Sequence, residues 1–194
     1  MDRIKSAYEI AMEKAEEISE DVSVDEDLLS IREEIKPILS KFYNGELDAD
    51  QLWQEFENKE EIFLREAQSM ILDSLGLRTT EDNFADRKNA ILALESLKKE
   101  GQTSQIERAL NKINKLQKRY SSDRDRIEQQ LEQEMNNSEM QMKQVQTDDG
   151  RTVMKMEPGM DRETQQKFKK AISQTESQYS EQFSHLIEDI KNQL

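Results

Sequence analysis

The sequence predicts an elongated, predominantly α-helical protein, and three observations point to this fold class. Apolar residues recur at steps of three and four along most of the chain, the spacing that gives a helix one buried face. The chain holds only five Gly and two Pro, and valine is scarce, which disfavours a large sheet. Leu, Ile, Val and Phe make up about 22% of the residues, just above the roughly 20% below which disorder is expected. We therefore expect long helices around a thin core.

The charge is distributed unevenly along the chain. Of the net charge of −14, all falls on residues 1–97, which hold 11 Lys/Arg against 25 Asp/Glu, whereas residues 98–194 hold 17 of each. This asymmetry predicts an acidic N-terminal region, residues 1–101, of about four helices, and a long helical hairpin, residues 102–194. Free duplex nucleic acid is not expected as a partner, because phosphate binding needs a basic face. The sequence contains no apolar stretch long enough for a membrane span.

Cysteine is absent from the sequence, which excludes disulfides, thiolate metal sites and a cysteine nucleophile. The first residues, Met1–Lys5, lack the apolar core of a signal peptide. We expect a cytoplasmic protein.

Four helices are predicted in the acidic region. The first covers Asp2 to Glu20. The second begins near Leu28, is kinked or ended near Glu34 to Ile35 by Pro37, and stops at Asn44-Gly45. The third starts with a capping box at Asp48 and Gln51 and runs to Leu75, with Gly76 as its C-terminal cap. The fourth is capped by Thr79 or Thr80 and stops at Gly101.

Two long amphipathic helices are predicted after Gln102, the first opened by a capping box at Ser104 and Glu107. Each carries one apolar stripe, and the two match in length and can pair antiparallel. Residues 121–126 are all polar, yet Tyr120 and Ile127 stay in register, so we expect one continuous helix with a mobile or solvent-filled level. The stripes form a candidate self-association seam: Ile106, Leu110, Ile113, Tyr120, Ile127, Leu131, Phe168, Ile172, Tyr179, Phe183, Leu186 and Ile190.

A small β-hairpin is predicted near residues 140–157, between the two helices. Asp149-Gly150 is a strong turn signal, because Gly accepts a positive φ and Asp tolerates it. With these two residues in the turn, Val145 faces Met154 and Lys143 faces Met156. Two strands alone are only marginally stable in water.

Six of the nine methionines fall in residues 135–160. Methionine is flexible and polarizable and recurs on surfaces that bind varied apolar partners. The candidate partner-binding residues are Met140, Met142, Val145, Met154, Met156 and Met160. Packing between the hairpin and the helices is the competing interpretation. Binding of Cu(I) by thioethers is disfavoured, since no Cys and no nearby His completes such a site.

In outline, two antiparallel helices joined by a β-hairpin tip resemble the subunits of prefoldin-type chaperones. The resemblance is one of layout, covers residues 102–194, and leaves the first hundred residues unexplained. It implies an assembly whose tips hold unfolded clients.

Enzymatic chemistry is not indicated. The single histidine, His185, is flanked on its helix by Glu181 and Glu188, but a di-iron bundle needs two Glu-x-x-His motifs. No phosphate-binding glycine loop, nucleophile elbow or zinc-binding helix motif is present. We expect no catalytic residue, no metal site and no cofactor.

The function predicted from these features is that of a non-enzymatic scaffold or adaptor, which binds protein partners through its helical surfaces and forms a homo-oligomer. The alternative is a prefoldin-like holdase chaperone that binds apolar clients with the methionine-rich tip.

Overall fold

The computed structural model describes residues 27–137, 140–146, 152–158 and 162–194. These residues are predominantly helical, which confirms the predicted all-α class. Helix α1 covers residues 27–43, and the remaining helices are α2 (Ala49–Phe56), α3 (Glu61–Asp73), α4 (Glu81–Ser96), α5 (Thr103–Asn137) and α6 (Arg162–Lys191). Strands β1 (Met140–Gln146) and β2 (Thr152–Pro158) lie between α5 and α6. The predicted first helix, Asp2 to Glu20, lies outside the described residues.

The described residues form two compact units. Of the described residues, the first unit contains 27–75, Thr80–Glu107 and Lys191–Leu194, and the second contains Gly76–Thr79, 108–137, 140–146, 152–158 and 162–190.

The sequence predicted that Pro37 kinks or ends the helix near Glu34 to Ile35. Helix α1 is continuous through Pro37, so of these two outcomes the end was wrong. An interior proline costs a helix about 3 kcal/mol. Ile35 and Leu39 are each only 1% exposed, and burial of such side chains stabilises by roughly 2 kcal/mol each, which offsets that cost. The helix stops as predicted at Asn44-Gly45, where Gly45 has φ +74°. The Gly45 N–H donates to the Phe42 carbonyl and the Glu46 N–H donates to the Lys41 carbonyl, the two bonds of a Schellman motif.

The third predicted helix, from Asp48 to Leu75, is divided into α2 and α3. The capping box that begins it is confirmed, since the Asp48 and Gln51 side chains each accept from the other residue's backbone N–H. The break falls at Glu57–Glu60, four consecutive polar residues, where Lys59 N–H bonds only three residues back, to Phe56. After this break the buried face of α3 comprises Leu64, Ala67, Gln68, Ile71 and Leu72, rather than a continuation of the α2 stripe.

Helix α4 packs against α2 and α3 and buries Ile91 and Leu94 completely. The Thr80 hydroxyl accepts from Asn83 N–H at its start, as predicted. Two predicted boundaries were wrong. Helix α3 is capped by Ser74 rather than Gly76, and α4 ends at Ser96, five residues before Gly101.

Helix α5 runs without interruption through residues 121–126, as predicted, but its predicted capping box is wrong. The helix already starts at Thr103, and the Gln102 carbonyl accepts from Gln105 and Ile106 N–H groups, so Ser104 lies inside the first turn. Gly101 precedes this start for a steric reason: a Cβ there would lie 2.6 Å from the Glu95 carbonyl oxygen.

Strands β1 and β2 pair antiparallel, with Val145 opposite Val153 and Met142 opposite Met156. The register predicted from a two-residue turn at Asp149-Gly150, with Val145 opposite Met154, was therefore off by one residue. The physical reason is the connection, since five residues separate the paired Gln146 and Thr152, and an odd-length connection cannot centre on a two-residue turn.

Candidate interaction surface

A buried ion pair holds the start of α5 to α4 in the first unit. Lys98 Nζ lies 2.8 Å from Glu95 Oε2, and the two side chains are 4% and 2% exposed. Glu95 also accepts from Gln68 Nε2 at 2.9 Å and from the backbone N–H of Gln102 at 2.8 Å. Lys98 donates to the Leu194 carbonyl at 3.0 Å. Because both charges are paired and hydrogen-bonded, their burial is tolerated.

The pKa of Glu95 reflects this balance. Burial by itself raises the pKa of the carboxyl, but hydrogen bonds from Lys98, Gln68 and the Gln102 backbone outweigh burial and hold the pKa below its usual value. The carboxylate is therefore ionised at neutral pH and fixed in place, which suits a structural anchor. General acid catalysis would need the opposite shift.

A tyrosine cluster joins α5 and α6 in the second unit. The rings of Tyr120 and Tyr179 meet edge to face, with centroids 5.5 Å apart. The Tyr179 hydroxyl donates to Asp123 Oδ2 at 2.6 Å, and Arg78 donates to the Tyr120 hydroxyl at 3.3 Å and to Glu176 at 2.6 Å. The hydrogen bond to Asp123 raises the pKa of Tyr179.

One residue of the polar gap at residues 121–126, Asp123, takes part in this cluster. The sequence predicted a mobile or solvent-filled level there, but Asp123 is the acceptor for Tyr179 across the helix pair. Sequence reasoning missed Arg78, Asp123 and Glu176. The available signal was the placement of two tyrosines in the apolar stripes beside a polar stretch, because a half-buried hydroxyl usually finds a partner.

The predicted seam divides into a buried part and a half-buried part. The deeply buried side chains, with their exposed fractions, are Ile106, Leu110, Ile113 and Ile190 at 0%, Tyr120 at 4% and Phe183 at 9%. The half-buried side chains are Ile127, Leu131, Phe168, Ile172, Tyr179 and Leu186. Four of these half-buried residues, Ile127, Leu131, Phe168 and Ile172, lie beyond the tyrosine cluster. They fall in residues 127–135 and 163–175, which we call the distal segment.

Two clefts open along the distal segment. One, of about 390 Å³, is bordered by Leu131 and Met135 together with the acidic Asp125, Glu128 and Glu132. The other, of about 350 Å³, is bordered by Phe168 and Ala171 with Glu134, Thr164 and Lys167. Met135 is 40% exposed. Each cleft is lined by both apolar and charged side chains.

The candidate methionines are placed only through the backbone. Met140, Met142 and Val145 lie on β1 and Met154 and Met156 on β2, while Met160 is outside the described residues. Cross-strand partners share a face and positions alternate along a strand. The observed register, with Met142 opposite Met156 and Gln144 opposite Met154, assigns Met140, Met142, Met154 and Met156 to one face of the ribbon and Val145 to the other.

His185 lies on an exposed position of α6, as do Glu181 and Glu188. Among the side chains that the structure places, no group of three His, Asp or Glu residues could hold a metal ion. Within the same part of the chain, no helix is both long and apolar enough to pass through a bilayer.

The described part of the chain is therefore predominantly helical. Its two long helices, α5 and α6, carry charged and apolar side chains along the distal segment. The chain belongs to DUF6657, described as a family of unknown function, which matches residues 50–192. The family thus covers nearly all of α2 and everything from α3 to the end of α6. No curated protein and no solved structure matches the chain.

Proposed function

We propose that the protein is a non-enzymatic scaffold or adaptor that binds protein partners, including other copies of itself, through α5 and α6. In this proposal the two helices pair as an antiparallel coiled-coil hairpin with the β1–β2 ribbon at its tip. A cytoplasmic setting belongs to the same proposal and is in keeping with the absence of cysteine.

One observation carries the proposal. The apolar stripes continue past the tyrosine cluster, but Ile127, Leu131, Phe168 and Ile172 are only half-buried, whereas Leu110 and Ile113 are completely buried. Apolar side chains that keep helical spacing without deep burial are the usual sign of a surface that a partner helix covers.

The test is a crosslinking pull-down with the tagged full-length protein from its native cells. A defined partner, whether a second copy or another protein, should be recovered at fixed stoichiometry and survive moderate salt. The double variant Leu131→Asp, Phe168→Asp should no longer recover this partner. As a control, Glu55→Lys with Glu57→Lys changes two exposed residues of the first unit and should leave recovery intact. Promiscuous capture, or recovery unaffected by the Asp substitutions, would contradict the proposal.

A holdase-like chaperone is the second candidate function, favoured by the ribbon register. Four methionines on one face would give a flexible apolar strip for unfolded clients. Replacing Met140, Met142, Met154 and Met156 with Ser should abolish suppression of client aggregation. Val145→Ser with Val153→Ser alters the opposite face, so suppression should persist in that control. Equal suppression by the methionine variant and the wild type would exclude this function.

A further inference from the structure

The distal face, which we define as Ile127, Leu131, Met135, Phe168 and Ile172, has a definite geometry. The rings of Tyr120 on α5 and Tyr179 on α6 are in contact. Asp123 on α5 accepts a hydrogen bond from the Tyr179 hydroxyl. Antiparallel helices rise equally per residue, so one step forward on α5 corresponds to one step back on α6. Ile127 is then level with Ile172, and Leu131 with Phe168.

Charges of opposite sign accompany the two halves of this face. Residues 127–135 of α5 contain Glu128, Glu132 and Glu134 and no Lys or Arg. On α6, Lys167, Lys169 and Lys170 lie next to Phe168 in the sequence and are all exposed. Two of these charges are paired within their own helix, Glu128 with Arg124 at 2.7 Å and Lys167 with Glu163 at 2.8 Å. All four side chains are at least 39% exposed, and such exposed pairs contribute little and exchange readily.

A partner that complements both strips must be basic opposite α5 and acidic opposite α6. A second copy of this chain presents that combination. With a two-fold axis running along the helices, α5 of one copy faces α6 of the other at the same levels. Glu132 then meets Lys167, and Glu128 meets Lys170, within one residue of level. The symmetry repeats both contacts, while the apolar distal faces meet between them.

We propose that the distal face binds the distal face of a second copy, so that α5 and α6 of two chains form a four-helix bundle around a two-fold axis along the helices. Contacts between the acidic strip of α5 and the basic strip of α6 determine how the two copies pair. This inference rests on the proposed function, since it names the partner of the same helical surface. The acidic and basic strips define the orientation and the apolar residues supply the buried area.

A charge-exchange experiment tests the proposal on the full-length chain. The α5 variant, Glu128→Lys with Glu132→Lys, has two basic strips. The α6 variant, Lys167→Glu with Lys170→Glu, has two acidic strips. Each variant alone should be monomeric by analytical ultracentrifugation, with a dissociation constant raised at least about tenfold over the wild-type dimer. Mixed in equal amounts, the two variants should form a heterodimer, because each α5 then faces an α6 of opposite charge.

Folding is verified by far-ultraviolet circular dichroism. The control Glu55→Lys with Glu57→Lys changes the net charge as the α5 variant does and should dimerise like the wild type. A monomeric wild type, or a mixture that stays monomeric, overturns the inference. If the wild type is monomeric while Leu131→Asp with Phe168→Asp still removes a different protein from the pull-down, the proposed function stands without this inference. If neither a dimer nor a partner is found, both fall.

Discussion

Glu95 is the side chain at which three segments of the first unit converge. Its carboxylate receives a hydrogen bond from Gln68 on α3, the ion pair with Lys98 after α4, and the backbone N–H of Gln102 before α5. Gln102 immediately precedes α5, and its backbone N–H is the group that the side chain of a capping box would otherwise accept from. The helix start that the sequence assigned to a local motif is held instead by a residue seven positions earlier.

Replacing Glu95→Gln keeps the shape and removes the charge. We expect a loss of about 3 kcal/mol in the free energy of unfolding at neutral pH, because Lys98 is left buried without a counter-charge. Denaturant unfolding measures this loss. The double variant Glu95→Gln with Lys98→Met should recover part of it, and a loss no larger than that of the exposed control Glu55→Gln would contradict the assignment.

The pH dependence has a definite sign. The pKa of Glu95 is lowered in the folded protein, so the stabilisation from its carboxylate is complete above the usual carboxyl value of 4.5. It is lost as the pH falls through the lower folded value. Wild-type stability should therefore decline more steeply than that of Glu95→Gln on acidification.

At the scale of helices, local signals predicted starts better than they predicted lengths. Asp48 and Thr80 cap as expected because a cap depends on three or four neighbouring residues. The continuation of α1 past Pro37 was missed because it depends on the burial of Ile35 and Leu39, which no local pattern reveals. The break at Glu57–Glu60 coincides with four consecutive polar residues and was missed because the apolar spacing was extended across them. The ribbon register failed for a related reason, since several connection lengths are compatible with Asp149-Gly150.

Alanine substitutions test whether Gly101 and Gly76 are required because a side chain would not fit. Gly101→Ala places a Cβ 2.6 Å from the Glu95 carbonyl oxygen, whereas at Gly76 the nearest atom, Thr79 Oγ1, is 4.0 Å away. We expect Gly101→Ala to destabilise by about 2 kcal/mol, as overpacking against backbone does, and Gly76→Ala to have little effect. Thermal unfolding of the two variants side by side provides the measurement, and equal midpoints would show that the loop before α5 adjusts freely.

At the scale of the whole molecule, the sequence predicted which residues form the stripes but not how deeply each is buried. The spacing of Leu110 and Leu131 is equivalent, yet one is completely buried and the other half-buried. Burial depends on what packs over a position, and periodicity reports only which face the position occupies. The candidate surface could therefore be narrowed to the distal segment only with the structure.

This difference predicts a gradient of hydrogen exchange along α5. Backbone amides near Ile106 to Tyr120 should exchange more slowly than those near Ile127 to Met135, because shallow burial lowers the cost of local opening. Mass spectrometry of peptides from dilute protein checks this. Protection of the distal peptides should rise with protein concentration, while Gly101-adjacent peptides should not respond. Uniform protection at every concentration would argue against the pairing of distal faces.

The register of the ribbon makes its methionine face sensitive to chain length rather than to composition. Deleting Gln144 alone would leave every methionine in the protein. Anchored at Gln146 and Thr152, β1 would then be displaced by one position before that point, and Met140 and Met142 would move to the face opposite Met154 and Met156. Among relatives of this chain, a single-residue insertion or deletion within β1 would thus decide whether the methionines of the two strands share one face of the ribbon, although the number of methionines stays the same.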